Sequence, residues 1–269
     1  PKIVAISDKV FFSSKYNYTT RGSNMIDIKI GADPECFILN KKTNKFISAH
    51  NIIPGTKDEP FKITCGAIQK DGVAAEFNID PASSNDEFLY NINFVVDYLG
   101  TLIRKVNIDY VLAAEPVATF DKEYFDALPP EPKVLGCNPD FNAYTGKPNN
   151  PPHTTECFRT GAGHIHIGWG EFFDIYNPDH LRVCCEVVKQ LDVILYPNSM
   201  SWDKDVKRRT LYGRMGSFRP KHYGVEYRPL SNAFLRDADI IRYVFDTTVW
   251  AVDQYFNHDR KYFSDNRPL

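Results

Sequence analysis

The chain of 269 residues is long enough for one large domain, or for a domain with a modest appendage. Its 43% hydrophobic and 25% charged residues are ordinary for a soluble globular protein, and 14% aromatics predict a thick, well-packed core. A formal charge of -2 supplies no global basic field for nucleic-acid binding, and no stretch approaches the ~20 apolar residues of a membrane span.

Residues 1–24 read as an extension, a short apolar strand followed by a polar stretch. The start lacks the long apolar region and small-residue cleavage site of a signal peptide, so the chain is expected to be cytoplasmic. Cys36, Cys65, Cys137, Cys157, Cys184 and Cys185 form no CxxC pair and are expected to be reduced and structural. The core is predicted to begin with a period-two strand over 26–30 that runs into Gly31. A first helix starts at the capping box Ser84-Asn85-Asp86-Glu87 and carries Phe88, Ile92, Val95, Leu99, Leu102 and Val106 on one face. A second begins at Asn177-Pro178, buries Leu181, Cys184, Val188, Leu191 and Leu195, and is stopped by Pro197. A third runs from about Asp237 to Phe256 on Ile240, Ile241, Val244, Val252 and Tyr255. Strands are predicted over 73–78, 110–118, 163–168 and 224–228, and the Pro/Asn/Gly-rich region 128–153 reads as a long loop.

Four segments share one pattern. Asp33 and Glu35, Glu76 and Asn78 (with Asp71 just upstream), His164 and His166, and Glu226 and Arg228 each stand two residues apart. In an extended strand such residues share a face, while Phe77, Ile165, Ile167, Val225 and Tyr227 point the other way into a core. Alone, each pair reads as a surface ion pair or a turn. Together they point to a shared polar site, and carboxylates with neutral imidazole suit Mg²⁺ or Mn²⁺.

The segment 208–221, RRTLYGRMGSFRPK, adds four arginines and a lysine to that neighbourhood. Guanidinium groups hold phosphate through planar, bidentate hydrogen bonds. There is no P-loop, no GxGxxG after a strand, no GxSxG elbow and no kinase signature. Gly161-Ala162-Gly163 opens a strand rather than a helix, so it is not half of a nucleotide fingerprint.

The order GADPE (31–35), DGVAAEFN (71–78), GAGHIHIGW (161–169), RRTLYGRMGSFRP (208–220) and YGVEYRPLSN (223–232) resembles the phage-type carboxylate–amine ligases. These amidoligases are related to glutamine synthetase and glutamate–cysteine ligase. The resemblance covers about residues 26–235 and implies an α+β fold: a curved, mainly antiparallel sheet with helices packed on one face, over residues 25–269. It implies ATP and Mg²⁺ (or Mn²⁺) as cofactors. Asp33, Glu35, Asp71, Glu76, His164 and Glu226 then resemble metal ligands. His166, Arg209, Arg214, Arg219 and Asn78 resemble nucleotide contacts, with Arg219, Arg228 and Glu226 at the reacting phosphate. Pro34 removes a ladder donor, so its strand should be an edge or bulged there.

The expected reaction passes a phosphoryl group from ATP to a carboxylate, and an amine then attacks the acyl-phosphate. Alternatives are a metal-dependent hydrolase using His164 and His166, or a non-catalytic protein that keeps the fold for binding. The expected substrates are a small-molecule or peptide carboxylate and amine, a modified nucleobase is not excluded, and no membrane partner is implied. If phage-encoded, the chain would work in the host cytoplasm. The sequence sets neither the substrates nor the oligomeric state.

Overall fold

The computed structural model describes residues 27–133, 140–149 and 157–257. The predicted extension over 1–24, Cys137 and parts of the loop 128–153 lie outside them. The elements in chain order are β1 (Lys29–Asn40), β2 (Lys45–Ile47), β3 (Phe61–Ile63), β4 (Gly66–Asp71), β5 (Ala74–Ile79), α1 (Asn85–Val106), β6 (Tyr110–Ala113), β7 (Val117–Thr119) and α2 (Lys122–Ala127). Then follow β8 (Phe141–Asn142), β9 (Lys147–Pro148), β10 (Phe158–Thr160), β11 (Gly163–Gly168), α3 (Pro178–Ser199), α4 (Val206–Leu211), β12 (Ser217–Lys221), β13 (Gly224–Tyr227) and α5 (Ala238–Asn257).

The fold is mixed α/β around a large antiparallel sheet ordered β3-β4-β5-β1-β11-β13-β12-β8-β9, with β2 and β6 pairing the far half of β1. Alternation makes the sheet two-faced. Ile30, Ala32, Cys36, Phe77, Ile165, Ile167, Val225 and Tyr227 are buried on one side in the main core, under α1, α3 and α5. Each fully buried aliphatic or aromatic side chain there contributes about 1.5–3 kcal/mol. The other side carries the polar pairs. Beyond them, Phe37 anchors a smaller apolar cluster with Ala118, Phe120 and Phe125.

Local chemistry accounts for the boundaries. Ser84 caps α1 by accepting the Glu87 N–H at 3.2 Å, and the Glu87 carboxylate accepts the Ser83 N–H at 2.7 Å. The apolar stripe of α1 ends on Ile103 rather than Val106, which is 59% exposed. Pro197 does not stop α3, which stays helical to Ser199; in the last turn the missing N–H removes one bond without breaking the geometry. The strand predicted over 110–118 divides at Pro116, so β6 joins β1 while β7 pairs with β10 in a separate two-stranded sheet. Part of the predicted loop 128–153 is ordered: β8 and β9 form a hairpin that extends the sheet beyond β12.

β1 is central rather than an edge, and it is irregular at Pro34. On the β5 side it pairs at Glu35–Glu76 and bridges again at Ile30–Ala82, so its partner carries one extra residue between those points. The Ile30 N–H goes to Ala82 on this side and the Glu35 N–H to Ala162 on the other. By strand alternation the proline nitrogen faces the interrupted side, where no donor is needed.

Candidate functional site

Strand register builds the site. Asp33 stands opposite His164, Glu35 opposite Glu76, Glu76 opposite Gln69, His166 opposite Glu226, and Glu226 opposite Arg219. Facing Cβ atoms on an antiparallel pair are about 4.5–5.5 Å apart, so these residues form one continuous polar surface. It floors a cleft of about 980 Å³ lined by Asp33, Glu35, Asp71, Glu76, Asn78, His164, His166, Arg219 and Arg228, among others. Glu226 lies beneath them and is 0% exposed.

The corner between β1, β11 and β13 is the densest part. His164 Nδ1 is 3.1 Å from Asp33 Oδ1 and 3.4 Å from Glu226 Oε1, and its Nε2 is 2.9 Å from the Tyr212 hydroxyl. His166 Nε2 is 3.0 Å from Asp33 Oδ2, and its Nδ1 meets the Tyr223 hydroxyl. Ligand atoms of Asp33, His166 and Glu226 lie within 4.8 Å of one another, the spacing a single cation could bridge. An imidazole nitrogen grouped with two carboxylates in this way fits a divalent metal.

Glu226 is gripped by cations. Arg228 bonds its Oε1, Arg219 Nη1 is 3.2 Å from Oε2, and Lys221 Nζ is 2.7 Å from the same oxygen. Arg228 also donates to the Tyr212 hydroxyl, and its Nε is 3.4 Å from Asp140 Oδ2. The acidic end differs. Glu35 Oε2 accepts the Ala162 N–H at 3.1 Å, and Glu76 Oε2 accepts from Gln69 at 2.8 Å. Lys57 is 3.9 Å from Asp71.

Proton affinities follow this layout. Burial would raise the Asp33 carboxyl, but His166 and His164 together hold it well below the usual range. Glu226 is likewise lowered against its own burial, chiefly by Arg228. Burial and the neighbouring Asp71 push Glu35 up to about 7, and burial with Asp33, Glu35 and Asp71 raises Glu76 well above its ordinary value. Burial and Arg228 bring His164 down to about 4, so its imidazole is neutral. Burial opposes charge on His166, yet Asp33 raises it.

Two predicted nucleotide contacts stand away from the cleft lining. Arg209 donates to the Asp203 carbonyl and lies 3.5 Å from its carboxylate; Arg214 is exposed and donates to the Thr210 carbonyl at 3.0 Å. Arg208, beside them in sequence, is fully buried and donates to the carbonyls of Gly161, Pro229 and Leu230. It ties α4 to the start of β11 and the exit of β13.

The pairs alone did not mark Lys221, Tyr212, Tyr223, Gln69 or Asp140. Lys221 was legible, since it stands two residues after Arg219 and shares its face of β12. Gln69 likewise follows from register once β4 and β5 are paired. Tyr212, at the end of a short helix, and Asp140, beside a hairpin in a Pro-rich segment, carry no periodic signal. Compared with known proteins, the chain matches no family model and no curated protein significantly.

Proposed function

We propose that this chain is an ATP- and Mg²⁺- (or Mn²⁺-) dependent ligase that joins a carboxylate to an amine through an acyl-phosphate, on a sheet of the glutamine-synthetase/glutamate–cysteine-ligase type. One observation carries the reading. Metal-suited carboxylates and imidazoles share one sheet face with a knot of three cations, in a single cleft large enough for a nucleotide and a small acid.

Asp33, His166 and Glu226 would hold one divalent ion, with Glu35, Glu76 and Asp71 available to another. Bound metal would neutralise phosphate charge and polarise the transferred group. The chain's own contribution is positional and electrostatic. Arg219, Arg228 and Lys221 concentrate positive charge on one buried carboxylate, so an incoming polyanion meets donors that are already in place. Asn78 offers an amide on the cleft wall beside Glu76. His164, neutral and hydrogen-bonded on both nitrogens, keeps Asp33 and Tyr212 in register. An acyl-phosphate route asks no nucleophile of the protein, and two of the described cysteines accord with that: Cys36 is buried with its thiol pushed up to about 12, and Cys184 is buried and raised further.

The commitment of both His164 nitrogens weighs against a hydrolase in which His164 and His166 share one metal. No helix among the described residues is long and apolar enough to cross a membrane. The test is ATP-dependent release of ADP and phosphate across a panel of carboxylates and amines, with mass detection of the amide; release of AMP would replace the acyl-phosphate with an acyl-adenylate. Metal-dependent hydrolysis without nucleotide would replace this reading with the hydrolase. Failure to bind ATP in calorimetry with Mg²⁺ would leave a protein that keeps the sheet for another purpose.

A further inference from the structure

His164 and His166 are equivalent by sequence pattern, on one strand, one face and against the same aspartate. The structure separates them through their outer nitrogens. Each meets a phenol, and the two phenols come from unrelated elements. Tyr212 projects from the end of α4, which Arg208 fastens to three carbonyls. Gly213 follows with φ +73, and a Cβ there would stand 2.6 Å from the Arg208 guanidinium, so the position of Tyr212 is fixed from both sides. Tyr223 stands in the turn between β12 and β13, where its carbonyl accepts the Trp169 N–H at 3.0 Å.

We propose that Tyr223 and Tyr212 are positioning residues that give the two histidines different tasks: His166 presents Nε2 to a divalent cation, and His164 serves as a fixed internal hydrogen-bond donor. The assignment rests on the metal-dependent part of the proposed function.

Hydrogen-bond inventory carries the argument. His164 Nδ1 faces carboxylate oxygens of Asp33 at 3.1 Å and Glu226 at 3.4 Å. Two anionic acceptors require that nitrogen to carry the proton. In a neutral ring Nε2 is then a lone pair, and the Tyr212 hydroxyl at 2.9 Å is its donor. The only lone pair of His164 therefore points at a phenol, away from the carboxylate corner. His166 is turned the other way. Its Nδ1 rests on the Tyr223 oxygen, while Nε2, 3.0 Å from Asp33 Oδ2, enters the group of ligand atoms formed with Asp33 and Glu226, where an arriving ion would take the place of the proton shared with Asp33. A metal-binding imidazole directs one lone pair at the ion and donates its other N–H to an oxygen, and the Tyr223 hydroxyl is that oxygen.

Tyrosine-to-phenylalanine variants remove one oxygen each and keep the ring. Mn²⁺ binding to the full chain, followed by electron paramagnetic resonance, should weaken about 10–100-fold in Tyr223→Phe, the usual cost of losing such a partner. Tyr212→Phe should leave it within about threefold, because His164 does not face the ion. Long-range proton–nitrogen spectra of the metal-free wild type should show His164 protonated at Nδ1, a reading that does not depend on how either variant folds. Wild type that binds Mn²⁺ while Tyr223→Phe binds it equally well would overturn the proposal and spare the ligase reading. His164 protonated at Nε2, or equal losses in the two variants, would also overturn it. Wild type that binds no Mn²⁺ would instead sink the metal-dependent reading, and the presentation of His166 with it.

Discussion

The two ends of the polar face use the same residue type to opposite effect. At one end Glu226 sits among Arg228, Arg219 and Lys221 and is held ionised. At the other, Glu35, Glu76 and Asp71 crowd together, with hydrogen bonds from Ala162 and Gln69, and burial and mutual repulsion make Glu35 and Glu76 bind protons more tightly than ordinary glutamates. The difference comes from partners, since Glu76 and Glu226 are both buried. A carboxylate surrounded by cations leaves surplus positive charge for an anion, while carboxylates surrounded by each other leave a place for a cation. One continuous surface thus has one end suited to an anion and another suited to a cation.

The largest expected effect is at the cationic end. Glu226→Gln leaves the buried Arg228 guanidinium, with the half-buried Arg219 and Lys221, around a neutral amide, and breaking a buried ion pair by removing one partner costs about 3–5 kcal/mol. Urea melts should record that loss, and ATP turnover should fall below detection. Added inorganic phosphate should restore part of the stability by supplying the missing anion. Turnover at the wild-type level would sink the role given to Glu226.

At the acidic end the sign reverses. Glu76→Gln keeps an acceptor for Gln69 and removes one buried, self-repelling carboxylate. Metal-free protein at pH 8 should therefore gain about 1 kcal/mol, the scale of an ordinary single substitution. The same variant should lose most of the stabilisation that Mn²⁺ gives wild type. A Glu76→Gln protein less stable than wild type without metal would erase the distinction between the two ends.

How far this contrast can be read from sequence depends on what sets each half. Alternation alone places Asp33, Glu35, Glu76, His164, Glu226 and Arg228 on one face, because a period of two is local. Which groups face each other is largely a matter of register between strands far apart in the chain, as with Asp33 opposite His164 and Glu35 opposite Glu76. Side chains that reach the site from outside the sheet, Tyr212 and Asp140, leave no periodic trace. The cluster of arginines misleads for a related reason: Arg208, Arg209, Arg214 and Arg219 are close in sequence, but α4, a turn and β12 send them in different directions. The segment around Pro34 shows the opposite case, where one residue's missing N–H was enough to foretell the irregular pairing.

The pH response gives a subtler test of the acidic end. An ordinary glutamate titrates near 4.5, and burial with Asp71 holds Glu35 near 7 in the fold. A carboxyl raised in this way favours the folded state fully below pH 4.5, and that contribution is lost as pH rises through 7. The raised Glu76 acts in the same direction. Asp33 and Glu226 are lowered, so their contribution is present above the ordinary carboxylate range and is lost only in stronger acid. His164, lowered from 6.5 to about 4, acts in the opposite sense below pH 6.5, so metal-free protein should melt at progressively lower temperature chiefly from about pH 6.5 to pH 7.5. Saturating Mg²⁺ or Mn²⁺ should flatten that fall, because a metal displaces the protons, and binding measured near pH 6.5 should release them. A metal-free melting temperature that rises across the window would place the uncompensated carboxylates elsewhere.

The smallest effects separate arginines inside the cleft from those beside it. Arg219 lines the cleft and contacts Glu226 at 3.2 Å, so Arg219→Ala should weaken ATP binding by about 10-fold or more, the scale of one charge-assisted contact. Arg214 is exposed and bonds only the carbonyl one helical turn earlier in its described contacts, so Arg214→Ala should change ATP affinity less than about twofold and stability by under ~0.5 kcal/mol. Arg209→Ala should also spare ATP affinity. It should cost about 1 kcal/mol of stability, because the buried Asp203 carboxylate loses its nearer guanidinium and is left with the Asp205 N–H at 3.0 Å and the more distant Arg208 at 3.7 Å. Calorimetric titration with ATP, paired with urea melts, reads both quantities on each variant. A tenfold loss of ATP affinity in Arg214→Ala would mean that the segment after α4 folds over the nucleotide, and the cationic end would then extend beyond the sheet.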